Sequence, residues 1–283
     1  MSNLAQKGTL YIVATPIGNL SDLSERAKAI LSSVDLVAAE DTRHTKKLLQ
    51  HLGINRRLLA LHEHNEDEKS VLVADRLASG ESVALVSDAG TPLISDPGFP
   101  LVRECHRRSI PVSPIPGSSA LIAALSASGL ATDEFHFIGF VPRKSNARRE
   151  VFNAKVNASG TWLFYESSHR IVESLRDLAA VVGDCRRVVL ARELTKLHET
   201  IISAPLSELI DRVINDEDQQ KGEFVVIVEG SPQVEESEDF SDVDRILRIL
   251  MADLPLKQAA SFTSDITGVK KNIVYQRGLA LKG

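Results

Sequence analysis

Residues 87–98 read SDAGTPLISDPG and follow directly on SVALV at 82–86. The valine-rich run predicts a short buried strand, and Asp88 falls just past its carboxyl end. Gly90, Pro92, Pro97 and Gly98 then interrupt the backbone repeatedly, so an ordered loop follows the strand rather than the first turn of a helix. In open α/β sheets, ligands bind at the carboxyl ends of strands. One carboxylate in a loop shaped by glycine and proline suits a hydroxyl or amino group of a small cofactor. The loop brings no Lys or Arg, so it suits a phosphate badly. The plainer alternative is a rigid turn in which Asp88 and Asp96 cap helices.

Outward from this loop, strands and helices alternate. Residues 9–13 (TLYIV), 35–39 (DLVAA), 58–61, 82–86 and 111–115 predict strands, with helices at 23–33, 66–77, 99–108 and 120–128. That alternation belongs to a parallel, doubly wound sheet. The turn after the first strand, ATPIGNL at 14–20, holds one glycine where a dinucleotide fingerprint needs three, which argues against NAD. Ser21 or Asp22 is placed to cap the helix that follows. The second strand ends in Glu40-Asp41-Thr42-Arg43-His44-Thr45. This is either a helix cap with solvated charge or a working cluster, because a carboxylate that extends an apolar strand is costly unless used or paired. His62 and His64 alternate after the third strand, but no cysteine or second histidine pair lies nearby, so no metal is expected. Pro116-Gly117-Ser118-Ser119-Ala120 forms a second glycine-proline turn at a strand end, with hydroxyls placed to cap the next helix. Its small side chains let a ligand approach the free amides closely.

GLATDE at 129–134 marks a boundary between an N-terminal α/β domain over 8–130 and a second α/β domain over 131–230. The second has strands at 135–141, 161–165, 187–191 and 222–228, and the alternation at 198–203 predicts an antiparallel one, so its sheet is mixed. Arg143, Lys144, Arg148 and Arg149 crowd together beside a strand end, as a solvated helix face or a seat for phosphates. Residues 231–244 form an acidic linker, and 245–283 carry seven Lys and Arg against two acids over helical patterns flanking Gly268. This predicts a small helical module resembling a helix-turn-helix, suited to nucleic acid, docking or dimerisation. A net charge of −5 argues against coating nucleic acid along the whole surface but allows a local basic patch. Two cysteines without a CxxC pair fit a reducing compartment. No apolar stretch of signal-peptide or membrane-span length appears, so a cytoplasmic protein with no membrane partner is expected.

Seven motifs carry the reading further: TPIGNLSD (15–22), AEDTRHT (39–45), SDAGTPLISDPG, PGSSA (116–120), FYESSHR (164–170), ARELTK (191–196) and KGEFV (221–225). In this order they resemble the small-subunit ribosomal RNA methyltransferase I family of the tetrapyrrole-methylase superfamily. The resemblance spans residues 9–230, and the tail is similar to that family's C-terminal module. It implies a two-domain tetrapyrrole-methylase-like fold and S-adenosylmethionine as cofactor. It also implies 2′-O-methylation of a cytidine ribose in the decoding region of 16S ribosomal RNA, within the small ribosomal subunit, by a homodimer. Motif by motif, it implies cofactor contacts from Asp88, Ala89, Thr91, Ser118, Ser119 and Ala120 in the first domain. From the second it implies Tyr165, Glu166, Leu194, Gly222 and Glu223. The first turn, TPIGN, departs from the glycine-rich turn of many superfamily members, which fits the ribosomal RNA branch and counts against the corrin-making one.

A ribose hydroxyl must lose its proton during methylation. Glu40, Asp41 and His44 are the candidate acceptors, His44 by residue type and Glu40 by position, with water as the alternative. Arg43 is the candidate phosphate contact, and Arg143, Lys144, Arg148, Arg149, Lys270 and Lys271 are further candidates for RNA. Two other readings stand beside this one: a methylase of a small tetrapyrrole or corrin, and a ribosome-associated binding protein without catalysis.

Overall fold

Aliphatic residues fill LVAA at 36–39 and VALV at 83–86 without alternation, as strands buried on both faces require. The computed structural model describes residues 4–231 and 240–281. Its first lobe runs β1 (Leu10–Val13), α1 (Glu25–Ser33), β2 (Leu36–Ala39), α2 (Thr42–His51), β3 (Arg57–Ala60), α3 (Glu66–Ala78), β4 (Val83–Val86), α4 (Phe99–Arg107), β5 (Val112–Ile115) and α5 (Ala120–Ser128). The strands pair in parallel in the order β3-β2-β4-β1-β5. Every residue of β2 and β4 is buried, whereas the edge strands β3 and β5 are partly open. One core lies on each face of the sheet. The first gathers Leu10, Leu36 and Leu85 with α3 and α4, and the second gathers Val13, Val37 and Val86 with α1. Cys105 of α4 is sealed in the first core, and burial pushes its thiol up to about 11; Cys185 is exposed.

Because β4 lies between β2 and β1, the loops that leave β1 and β4 emerge side by side. Thr15 and Gly90 lock them together: the Thr15 amide donates to Gly90 O at 2.8 Å and the Gly90 amide returns to Thr15 O at 3.0 Å. Two expected caps fall elsewhere. Ser21 and Asp22 lie in a short 3-10 turn, and Ser24 caps α1, its Oγ accepting from the Ala27 amide at 3.1 Å. Ser119 precedes α5 but makes no side-chain cap bond.

The second lobe runs β6 (Phe135–Phe140), α6 (Ser145–Asn153), β7 (Thr161–Ser167), α7 (Ile171–Val182), β8 (Arg187–Arg192), β9 (Thr200–Pro205), α8 (Leu206–Asn215) and β10 (Glu223–Val228). Its order is β6-β7-β10-β8-β9, with β6 parallel to β7 and the other pairs antiparallel. One face packs on α6, α7 and α8 around Phe152, Trp162 and Phe164, whose rings lie 5.3–6.1 Å apart. The other face receives Leu121, Ala124 and Leu125 of α5. A helix that follows the first sheet and is cored on the second makes one unit of the two lobes.

The chain divides after Gly230 into two compact units. The second holds α9 (Ser241–Met251), α10 (Leu256–Thr267) and α11 (Lys271–Ala280) around Val243, Leu247, Ala259, Ala260 and Val274. Gly278 lets α11 approach α10, since a Cβ there would collide with Leu256. α9 begins inside the stretch expected to be linker. Its Asp244 accepts from Arg277 at 2.6 and 2.7 Å, so the last acidic residues are structural; 232–239 lie outside the described residues. Among the described residues, no helix is long and apolar enough to cross a membrane.

Candidate active site

A cavity of about 410 Å³ opens where the carboxyl ends of the first sheet face the second lobe. The loop after β4 contributes Ala89, Gly90, Thr91 and Asp96, and the start of α5 contributes Ser119 and Ala120. Thr91 Oγ1 donates to Ser118 O at 3.0 Å and ties these two loops together; Ser118 supports the wall without lining it. From the second lobe come Tyr165, Leu194, Gly222 and Glu223. The Tyr165 hydroxyl accepts from the Leu121 amide at 3.2 Å, which fixes β7 against the first turn of α5. Sequence reasoning missed Ile17, Ile94, Phe140 and Val225, which make much of the apolar wall, and the hydroxyls of Ser167 and Ser168 beside them. Phe140, the last residue of β6 and the penultimate one of the expected strand FHFIGFV, stacks edge-on against Tyr165 at 5.4 Å, so its place at a strand end was the available signal.

The loops that face each other across this cavity are strained. Leu93 and Ser95 on one side, and Glu193 and Thr195 on the other, hold positive φ between 51° and 71°. Such backbone costs about 1–3 kcal/mol per residue and persists only where neighbours over-determine it. Here Arg192 supplies part of the restraint: buried, it donates to Lys221 O at 2.6 Å and His198 O at 2.9 Å, pinning the loops that carry Gly222 and Leu194. Gly222, at φ +102°, has no room for a side chain, because a Cβ would sit 2.5 Å from Glu193.

Glu166 reaches the cavity by its backbone only. Its carboxylate is buried and accepts from Arg170 Nε at 2.8 Å and from the Ser167 amide at 2.7 Å, with Ser174 alongside. Arg170 also donates to Val141 O at 2.8 Å, so this ion pair staples the end of β6 to the end of β7.

A second recess of about 260 Å³ lies across the Thr15–Gly90 bridge. Asp88 opens onto this recess instead of the main cavity, and its Oδ1 accepts from the Asp41 amide at 3.1 Å. His44 lines the recess too. The other two acceptor candidates do not. Asp41 is the cap of α2, accepting from the Arg43 amide at 2.8 Å and from Arg43 Nη2 at 2.6 Å, and this partner drives its carboxyl far below the usual range. Asp41 thus serves the start of α2 as cap and ion-pair partner. Arg43 is thereby turned back on Asp41, although its side chain is 88% exposed. Burial, and then Asp96 and Asp88, push Glu40 up, and burial raises Asp96 likewise. Carboxylates thus crowd the strand ends between the two hollows.

The basic cluster of the second lobe divides. Arg148 is corrected outright: it is 1% exposed, donates to Asp177 Oδ2 at 2.8 Å and holds the carbonyls of Pro142 and Arg143 at 3.3 and 3.2 Å. Arg149 bonds the other oxygen of Asp177 at 2.7 Å, while Arg143 and Lys144 remain exposed. In the second unit, Lys270 and Lys271 are exposed at the start of α11, and Lys271 Nζ donates to Ser261 at 2.9 Å. Among the described residues, no cluster of His, Cys, Asp and Glu is arranged to hold a metal ion.

Residues 9–210 match the family of tetrapyrrole (corrin/porphyrin) methylases, and residues 237–282 match the RsmI C-terminal HTH domain. The ribosomal RNA small subunit methyltransferase I of Pseudomonas aeruginosa is 55% identical over 98% of this chain and 98% of its own length. The protein of the same name from Escherichia coli O157:H7 is 53% identical over 98% of this chain and 96% of its own. Among solved structures, the uroporphyrin-III C-methyl transferase of Thermus thermophilus complexed with S-adenyl homocysteine shares the fold, with a TM-score of 0.53 and 17% identity over 78% of this chain and 97% of that one.

Proposed function

The chain belongs to the tetrapyrrole methylases and, within them, to the ribosomal RNA small subunit methyltransferase I family, and from this premise we propose that it moves a methyl group from S-adenosylmethionine to the 2′-hydroxyl of a cytidine ribose in the decoding region of 16S ribosomal RNA. The observation that carries the reading is the pair of hollows at the strand ends: an amphipathic cavity and, one residue away, a recess lined by His44. The cavity suits the cofactor. Ile17, Leu194 and Val225 offer an apolar bed for a planar ring, and the bare backbone of Gly90 and Gly222 admits close approach. Ala89, Thr91, Ser119, Ala120, Tyr165 and Glu223 complete the proposed cofactor contacts.

Bound S-adenosylmethionine supplies a methyl already activated on a sulfonium, so the chain has chiefly to position the acceptor. His44, on the recess wall, takes the ribose proton; Glu40, raised by burial and by its carboxylate neighbours Asp96 and Asp88, is the second candidate, at the strand end. A nucleotide held in folded RNA is splayed out to enter such a site. Exposed Arg143, Lys144, Lys270 and Lys271 supply charge for phosphates of the small subunit. A methylase of a small tetrapyrrole would need no such outlying charge. The proposal extends to a cytoplasmic homodimer, for which exposed Phe99, Ile122 and Leu197 are candidate contacts. A monomer mass by light scattering at low micromolar concentration would remove the dimer.

Purified protein, labelled S-adenosylmethionine and small subunits from cells lacking the enzyme test the reaction. Label is expected in the RNA at one ribose. Cofactor binding without any label in RNA would overturn the assignment.

A further inference from the structure

α2 buries only Thr45 and Leu49, one turn apart, so its remaining faces are open to other uses. His44, Lys47 and His51 follow one another at spacings of three and four and turn the same face into the recess. Pro16 and Leu20 of the turn after β1 line the recess as well, and Leu48 of α2 adds a third apolar side chain. Thr15 and Asp88 complete its polar lining. At about 1.5 Å per residue, α2 separates His44 from His51 by roughly 10 Å along its axis.

The recess therefore has a direction. The Asp41 amide, at the start of α2, bonds to Asp88 at 3.1 Å, so the carboxylate sits at the His44 end. An anion is repelled there and drawn instead toward Lys47 and His51 further along the helix. A hydroxyl, by contrast, is served by Asp88 and His44. Asp88 and Ala89 are consecutive residues facing different hollows, Asp88 the recess and Ala89 the main cavity, so a group at the Asp88 end lies next to the cofactor cavity.

We propose that this recess seats the acceptor nucleotide, with its ribose at the Asp88–His44 end, its base against Pro16, Leu20 and Leu48, and its phosphodiester on Lys47 and His51. This rests on the methyltransferase reading above and adds the subsite that orients the substrate. Lys47 and His51 are positioning residues: they hold the strand and take no part in the transfer.

The test uses the full-length chain with small subunits lacking the methyl group, comparing wild type with Lys47→Gln, His51→Ala and both together. The double variant is expected to raise KM for subunits several-fold, as losing a side chain that holds a phosphate weakens binding alike across sequences, while kcat stays unchanged. The slope of log affinity against log salt should fall by about 0.7–0.9 for each phosphate that is no longer neutralised, and Lys47→Arg should restore its share. Cofactor affinity by calorimetry should not change. A folded double variant with unchanged KM and salt slope overturns the subsite, and so does one that loses cofactor affinity instead. Both side chains are exposed; should the double variant lose its melting transition, Lys47→Gln alone is read by the same criteria. Failure of the wild type to label RNA sinks the methyltransferase reading, whereas a labelling wild type with insensitive variants sinks the subsite alone.

Discussion

Glu40, Asp41 and His44 lie within five residues, yet the fold gives each a different environment. Asp41 works for α2: losing a cap of this kind costs about 0.5–2 kcal/mol. Asp41→Ala should therefore lower the melting temperature and leave kcat within a few-fold of wild type. His44→Ala should do the reverse, lowering kcat by about 10²–10⁴ as loss of a general base does, with the melting temperature and cofactor affinity unchanged. Wild-type kcat in His44→Ala would pass the proton to Glu40 or to water. Asp177 gives a prediction of another kind. Burial raises its carboxyl, but hydrogen bonds from Arg149, Ser145 and Arg148 outweigh this and leave it below its ordinary value of 3.8. A depressed carboxyl stabilises the fold above the unfolded value, and that stability is lost as pH falls through the lowered one. Asp177→Asn should cost about 3–5 kcal/mol at neutral pH by stranding Arg148. The gap in melting temperature between variant and wild type should narrow below about pH 4, the ordinary carboxyl range; a gap unchanged down to pH 2 would show that charge is not what Asp177 contributes.

At the scale of elements, the first sheet was legible because strands buried on both faces must be continuously aliphatic, and LVAA and VALV are. Strand ends were legible as polar clusters; residues from several of them, such as Ala89, Ser119, Leu194 and Gly222, line the main cavity and His44 the recess, whereas Glu40, Asp41, His62 and the basic run at 143–149 line neither. What stayed hidden depends on partners remote in sequence. Arg148 looks like its neighbours until Asp177, 29 residues on, claims it. Asp88 reads from its loop as a cofactor ligand, and only the strand order β2-β4-β1 shows that α2 begins beside it. The wall made by Phe140, Ile94 and Val225 exists because two sheets face each other, which no local pattern records. Gly222 is marked by its motif, but its reason is steric. Gly222→Ala must displace Glu193 from a position that also receives the Glu223 amide at 2.9 Å and Lys196 at 2.8 Å. Added to unfavourable φ, this should cost about 1–3 kcal/mol and weaken cofactor binding. Unchanged affinity by calorimetry would take this strand end out of the site.

At the scale of the molecule, the division after Gly230 separates a unit with two hollows from a helical unit with its own core. Ending the chain at Gly230 should leave the melting temperature of the remainder and its cofactor affinity intact, while subunit binding weakens and its salt slope falls. An unchanged slope with a lower melting temperature or a halved mass would make the tail a structural or dimer element instead. The two cysteines have a consequence for the first unit. Cys185 is exposed and Cys105 is sealed beneath the first sheet with its thiol held protonated, so a thiol reagent should modify the folded chain rapidly at one position only. The second modification then waits for the first lobe to open, and its rate becomes a clock for that opening. A ligand gripping both lobes must slow the clock: cofactor at 100 times its Kd should retard labelling of Cys105 by about a hundredfold while Cys185 reacts at its old pace.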